Sequence, residues 1–121
     1  MILADTSVWV DHFRGGNPTL RRLLEAGEVS CHSFVIGELA CGTLRRGSSI
    51  LELLGKLPAV PSAEDFEVLE LIDAHRLMGR GLGWVDVHLL AAALISGVSL
   101  WTLDKPLLSA AQLLSIRAEL G

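Results

Sequence analysis

Four acidic residues stand where apolar segments would ordinarily run on. Asp5 closes the run "ILA", Glu38 interrupts "SFVIGELACG", Asp86 precedes "VHLLAAALI" and Asp104 closes "VSLWTL". Each has a plain reading of its own. An Asp that ends a strand is a turn former or a helix N-cap. An acid in a first helical turn meets the positive end of the helix dipole and free N–H groups, which covers Asp86. Glu38 is harder to place, because Val35, Ile36, Leu39 and Ala40 surround it in sequence. If all four converge, the chemistry changes. Two carboxylates about 4 Å apart repel by roughly 4 kcal/mol at an effective dielectric near 20, so several together raise one another's pKa or call for cations. An all-oxygen donor set suits Mg²⁺ or Mn²⁺ rather than zinc. A pair of such ions can activate water and stabilise the leaving oxygen in phosphodiester hydrolysis. Spacing along the chain leaves convergence open.

The elements that must position these acids alternate between strand-like and helix-like segments, which predicts an α/β fold with a mainly parallel sheet. The first strand covers residues 2–5. "NPTLRRLLEAG" is a helix capped by Asn17, with Pro18 at its first position and Gly27 as its stop. "EVSCHS" is the second strand, and Ser33 caps the helix "FVIGELACGTL". A helix at residues 49–54 leads to a strand near "PAVPS", and Ser62 with Asp65 forms a capping box for "AEDFEVLELIDAHRLMG". The helix "VDVHLLAAALI", the strand "VSLWTL", a helix from Pro106 and an edge strand near "LLSIRA" follow. The expected architecture is a three-layer α/β/α domain over residues 1–121 with a four- to five-stranded sheet. Asp5 and Asp104 then lie at carboxyl ends of strands, the edge at which open α/β sheets build ligand sites.

Composition narrows the classes. Half of the 121 residues are hydrophobic and the mean hydropathy is +0.48, which predicts either an unusually large core or an apolar face covered by a partner. The richest stretch, "HLLAAALISGVSLWTL", is too short and too interrupted to span a membrane. Asp5 and the lack of a basic n-region speak against a signal peptide, so a cytoplasmic location is expected. Cys31 and Cys41 lack metal-ligand spacing and are expected to be small buried hydrophobes. The four histidines, and Trp9, Trp84 and Trp101, are expected to be structural, the tryptophans as core or interface groups. "GRGLG" does not follow a strand, so it is a flexible approach to the Asp86 helix and no phosphate loop. The formal charge of −4 runs against an ordinary nucleic-acid binder, which is usually basic.

"ADTS", "IGELACG", "GLGWVDVHLLAAAL" and "LWTLD", in this order over residues 2 to about 108, together resemble the PIN-domain ribonucleases, specifically the VapC-type toxins of toxin–antitoxin pairs. The resemblance implies that Asp5, Glu38, Asp86 and Asp104 are the acidic quartet that holds one or two Mg²⁺ or Mn²⁺ ions. Thr6 or Ser7 would support it by hydrogen bonding. It implies endonucleolytic RNA cleavage by metal-activated water, without a protein nucleophile. Some members carry a further acid two residues after the last one; this chain has Pro106 there, so a second metal is expected to be held weakly or only with substrate. The resemblance also implies a VapB-type antitoxin over an apolar groove, and a homodimer. Two divalent ions would cancel the formal charge. Arg14, Arg45, Arg46 and Lys105 are the expected RNA-binding cations. Two competing classes are a catalytically silent PIN-like binding module and a phosphoryl-handling α/β domain. The dehalogenase-like form of the latter needs a second Asp two residues after the first, where this chain has Ser7.

Overall fold

A computed structural model describes residues 1–42, 44 and 49–120. The elements are β1 (Ile2–Ala4), α1 (Thr6–Gly15), α2 (Pro18–Glu25), β2 (Val29–Ser30), α3 (Ser33–Gly42), α4 (Ser49–Gly55), α5 (Asp65–Ala74), α6 (Trp84–Ser96), β3 (Ser99–Trp101) and α7 (Lys105–Leu113). The strands form a parallel sheet in the order β2-β1-β3. Leu3 pairs with Ser30 on one side and Leu100 on the other. β1 is central, and its Leu3 and Ala4 are fully buried. A strand covered on both faces needs a continuous apolar run rather than an alternating one, which "ILA" supplies.

Among the described residues the sheet has three strands, not four or five. Both further segments lie where they were expected, yet each contributes a single parallel bridge, Cys31 to Ala59 and Leu100 to Arg117. At the first, the Cys31 N–H donates to the Pro58 carbonyl at 2.9 Å and Val60 returns a bond to the Cys31 carbonyl at 2.8 Å. Pro58 and Pro61 bracket that bridge, and neither has an N–H to carry the ladder on. The outer edges therefore begin as a sheet and stop.

Counting the bridges, the chain steps outward from β1 through β2 to Ala59, then returns past β1 to β3 and Arg117. Right-handed crossovers in opposite directions cover opposite faces of a sheet. The packing follows that rule. α3 packs against α1 and α4, while α6 packs against α5 and α7. Two helical layers thus enclose the sheet, and the change of direction falls between β1 and β3.

Three local expectations are corrected. The segment after β1 is a helix, α1, which Asp5 caps by accepting from the Ser7 N–H at 3.1 Å. α3 is capped by the His32 ring, whose Nδ1 accepts from the Phe34 N–H at 3.0 Å; Ser33 already lies inside the helix. α5 is opened by Glu64, whose N–H donates to Glu67 Oε1 at 2.9 Å, while Ser62 Oγ meets His32 Nε2 at 3.2 Å instead. The Asn17 cap is present, with Leu20 N donating to its Oδ1 at 2.9 Å. Gly97 ends α6 at φ 68°, the left-handed conformation that favours glycine and turns the chain into β3. Cys31 is buried, and burial pushes its thiol up to about 11. Cys41, expected inside, is exposed. Trp9 and Trp101 are core residues, whereas Trp84 is 44% exposed.

Candidate active site

Asp5 follows directly on β1. Its N–H donates to the Trp101 carbonyl of β3 at 3.0 Å, so the end of the central strand is fastened to its neighbour. The side chain is buried, 5% exposed, and both oxygens are used. Oδ1 accepts from the Ser7 N–H and hydroxyl, and Oδ2 accepts from the Thr102 hydroxyl at 2.8 Å. Both hydroxyls then accept from the turn beyond β3, Ser7 Oγ from Leu103 N at 2.9 Å and Thr102 Oγ1 from Asp104 N at 3.0 Å. One buried carboxylate therefore fixes the loop that carries another acid.

Asp104 caps α7, with Oδ2 accepting from Leu107 N at 3.1 Å. Asp86, in the first turn of α6, accepts the Gly83 N–H at 2.9 Å on Oδ2. Glu38, on α3, accepts the Thr6 hydroxyl at 2.7 Å on Oε1. The plain readings of Asp5, Asp86 and Asp104 as caps and dipole partners thus hold, and they use only part of each group. Asp86 Oδ1, Asp104 Oδ1 and Glu38 Oε2 accept no hydrogen bond from the described residues.

The four acids also feel one another. Burial, first of all, pushes the Asp5 carboxyl above 3.8; the hydrogen bonds of Ser7, Thr102 and Val8 oppose it without cancelling it, and the charge of Asp86 adds a smaller push. Burial likewise raises Asp86; the Gly83 N–H opposes this, and the charges of Asp104 and Glu38 add to it. Asp86 is the hub, coupled to each of the others. The sheet supplies two of these acids, the α3 layer one and the α6 layer one. Asp5 and Asp104 lie just past the carboxyl ends of β1 and β3, where the chain changes direction, the edge that the switch-point rule names. Among the described residues the basic side chains within 4 Å of a carboxylate oxygen are Arg21, beside Glu25, and the His88 ring, beside Asp65, so none neutralises the group. No three of the described His, Cys, Asp or Glu residues are gathered about one point as a ready ligand set. The donor set is hard oxygen throughout, with three lone carboxylate oxygens, and fits Mg²⁺ or Mn²⁺ better than zinc.

Of the expected cations, Lys105 follows Asp104 as the first residue of α7 and is exposed. Arg14 is not with the acids, since it lies nine residues along from Asp5, about 13 Å of helix axis. Arg45 and Arg46 lie outside the described residues. Thr102 escaped the sequence reading. Its signal was its place two residues before Asp104, but a Thr in "LWTL" also reads as an ordinary strand former.

The PIN domain family matches residues 2–113. A relative named Ribonuclease VapC32, from Mycobacterium tuberculosis strains CDC 1551 / Oshkosh and ATCC 25618 / H37Rv, is 47% identical over 91% of this chain and 90% of its own length. The chain is a PIN-domain protein of the VapC family. Two solved structures share the PIN fold. FitAcB from Neisseria gonorrhoeae matches with a TM-score of 0.66 at 22% identity, over 93% of this chain and 94% of its own. PAE2754 from Pyrobaculum aerophilum matches with a TM-score of 0.59 at 18% identity, over 95% and 88%. The four acids of this VapC-family chain all fall inside the matched span.

The raised carboxyls give the PIN domain a signed pH response. Asp5 and Asp86 hold their protons more tightly when folded than at the ordinary 3.8. The folded chain therefore binds more protons than the unfolded chain from 3.8 upward to the raised values, and in that window these groups make stability fall as pH rises. The melting temperature of the metal-free chain is expected to decline over this window. In Asp86→Asn the decline should be visibly shallower, as followed by circular dichroism in chelator-containing buffers.

Proposed function

We propose that this chain is a metal-dependent endoribonuclease, the toxin of a VapBC-type pair, working as one PIN-like domain over residues 1–121. The observation that carries this reading is the placement of Asp5 and Asp104 just past the carboxyl ends of β1 and β3, with Asp86 close enough to Asp5, Asp104 and Glu38 for their charges to interact. Kinship with Ribonuclease VapC32 gives the reaction class. When bound, one or two Mg²⁺ or Mn²⁺ ions would supply an activated water and charge stabilisation at the cut phosphate. The residues of the chain do the rest. Asp86, Asp104 and Glu38 offer their lone oxygens as ligands. Asp5 adds its charge from a fixed position and holds the Asp104 turn through Ser7 and Thr102. Thr6 holds Glu38. Asp5 is not a nucleophile, because its oxygens are engaged and buried; this disfavours an aspartyl-phosphate chemistry.

The surplus of apolar residues supports the partners. A groove lined by Phe13, Leu24, Ile50, Leu53 and Leu57 suits a VapB-type antitoxin, and the exposed Leu69, Leu94 and Ile95 suit a homodimer. No helix among the described residues is long and apolar enough to cross a membrane, which fits a cytoplasmic site of action. The purified chain is expected to cut RNA internally with Mg²⁺ or Mn²⁺ and to stop on addition of EDTA. Equal cutting in EDTA, or no cutting of total RNA under any metal, would sink the reading.

A further inference from the structure

The acids do not account for an aromatic platform beside them. Trp84 opens α6 two residues before Asp86 and is 44% exposed, whereas Trp9 and Trp101 are buried. It lines a groove of about 590 Å³ together with Phe34, Gly37, Glu38 and Cys41. The groove thus shares one wall, Glu38, with the acidic site. Behind Trp84 stands a row of rings. His88 meets Trp84 edge-on at 4.8 Å, Phe34 meets His88 at 4.9 Å, and His32 meets Phe34 at 5.0 Å. His88 is in turn held by Asp65 Oδ1 at 3.2 Å. A large exposed indole with a fixed edge-on backing is pre-organised, and its ordering entropy is already spent. Gly37, opposite on α3, leaves open space where a side chain would stand.

We propose that this groove is a nucleobase subsite, in which a base of the RNA next to the cut phosphate stacks on Trp84 and is held against the Gly37 wall of α3. It rests on the ribonuclease reading given above. An aromatic face accepts any base, because every base has a π-face, and single-stranded nucleic acid is commonly gripped in this way. A neutral ring can also lie beside Glu38 without the repulsion that a phosphate would meet there. Groove volume falls within the usual range for ligand sites.

Trp84 being the one exposed tryptophan, its fluorescence reports the contact directly. In an Asp5→Asn background, which prevents cutting, titration with hexanucleotides of A, C, G or U is expected to quench that emission, and Trp84→Phe should remove the quenched component. In the active chain, Trp84→Ala should raise KM roughly ten-fold, the order of one lost base stack. Trp84→Phe should recover most of it. Gly37→Leu fills the groove from the other wall, and because leucine favours helix over glycine the fold is kept; it should raise KM similarly and shift the positions of mapped 5′ ends. Unchanged KM and unchanged cut sites in both Trp84→Ala and Gly37→Leu, with no quenching, would overturn the proposal while leaving the ribonuclease reading intact. A change in sedimentation of Trp84→Ala with its cut sites and KM unaltered would overturn it too, marking the face as self-association. A wild-type chain that neither cuts nor binds RNA would defeat the reading on which the proposal rests.

Discussion

Asp86→Asn is expected to abolish RNA cleavage while raising the melting temperature. Burial makes the charge of Asp86 costly, Asp104 and Glu38 press upon it, and it presses in turn on Asp5. Asparagine keeps an oxygen for the Gly83 N–H, so the first turn of α6 stays capped. Removing the charge then relieves repulsion, a gain on the order of 1 kcal/mol, or about 4 °C for a chain of this size. On the proposed reading the same change removes an anionic ligand. Even a partner of a metal ligand is worth about 10–100-fold, so activity should fall by on the order of a hundred-fold or more. A calorimetric titration with Mn²⁺ and a thermal melt on one preparation check both halves. Stability that drops together with activity would show that Asp86 holds the fold rather than a cation.

Asp5 should behave in the opposite sense. Asp5→Ala removes the α1 cap, worth about 1 kcal/mol. It also strips the Thr102 hydroxyl and the Ser7 hydroxyl of their acceptor inside a buried network, about 1–3 kcal/mol for such an orphaned group. A loss of about 2–3 kcal/mol is expected, together with loss of cleavage. Asp5→Asn should lose cleavage as fully and very little stability. Asparagine caps helices as well as Asp does, and its Nδ2 can donate to Thr102 Oγ1, which retains a lone pair beside the one that receives Asp104 N–H. Chemical denaturation of the two variants separates the effects. Equal stability of Asp5→Ala and the parent chain would remove Asp5 from its structural role.

Asp5 and Asp104 were legible in the sequence because an acid directly behind an apolar strand is a sharp contrast, and Glu38 and Asp86 because they break helices that are otherwise apolar. What joins them was not. Thr102 and Ser7 act through atoms 95 to 97 residues apart in sequence, and hydroxyl residues in strand-like segments carry no mark of such a partner. α1 was missed because Thr6, Val8 and Val10 are β-branched and lower helix propensity, while the cap that starts it was already assigned to the end of a strand. The His32 ring took a capping place that Ser33 was expected to hold, since imidazole nitrogens seldom appear in the usual list of caps. On the Ala59 side the sheet came out narrower than expected for a local reason, the two prolines around that residue, and the layer order followed from chain direction alone. The exposed side of Trp84 could not be read from "GWVD", where it sits in aliphatic company.

On the proposed ribonuclease reading, the span from Asp5 to Asp104 also sets when this protein can act. A chain still being synthesised, or one clipped before β3, holds three of the four acids and none of the turn that Thr102 and Ser7 fasten. Its central strand β1 lacks the neighbour it pairs with along its whole length. On that reading competence arrives only once β3 and Asp104 have left the ribosome, and it is lost with a cut that frees β3.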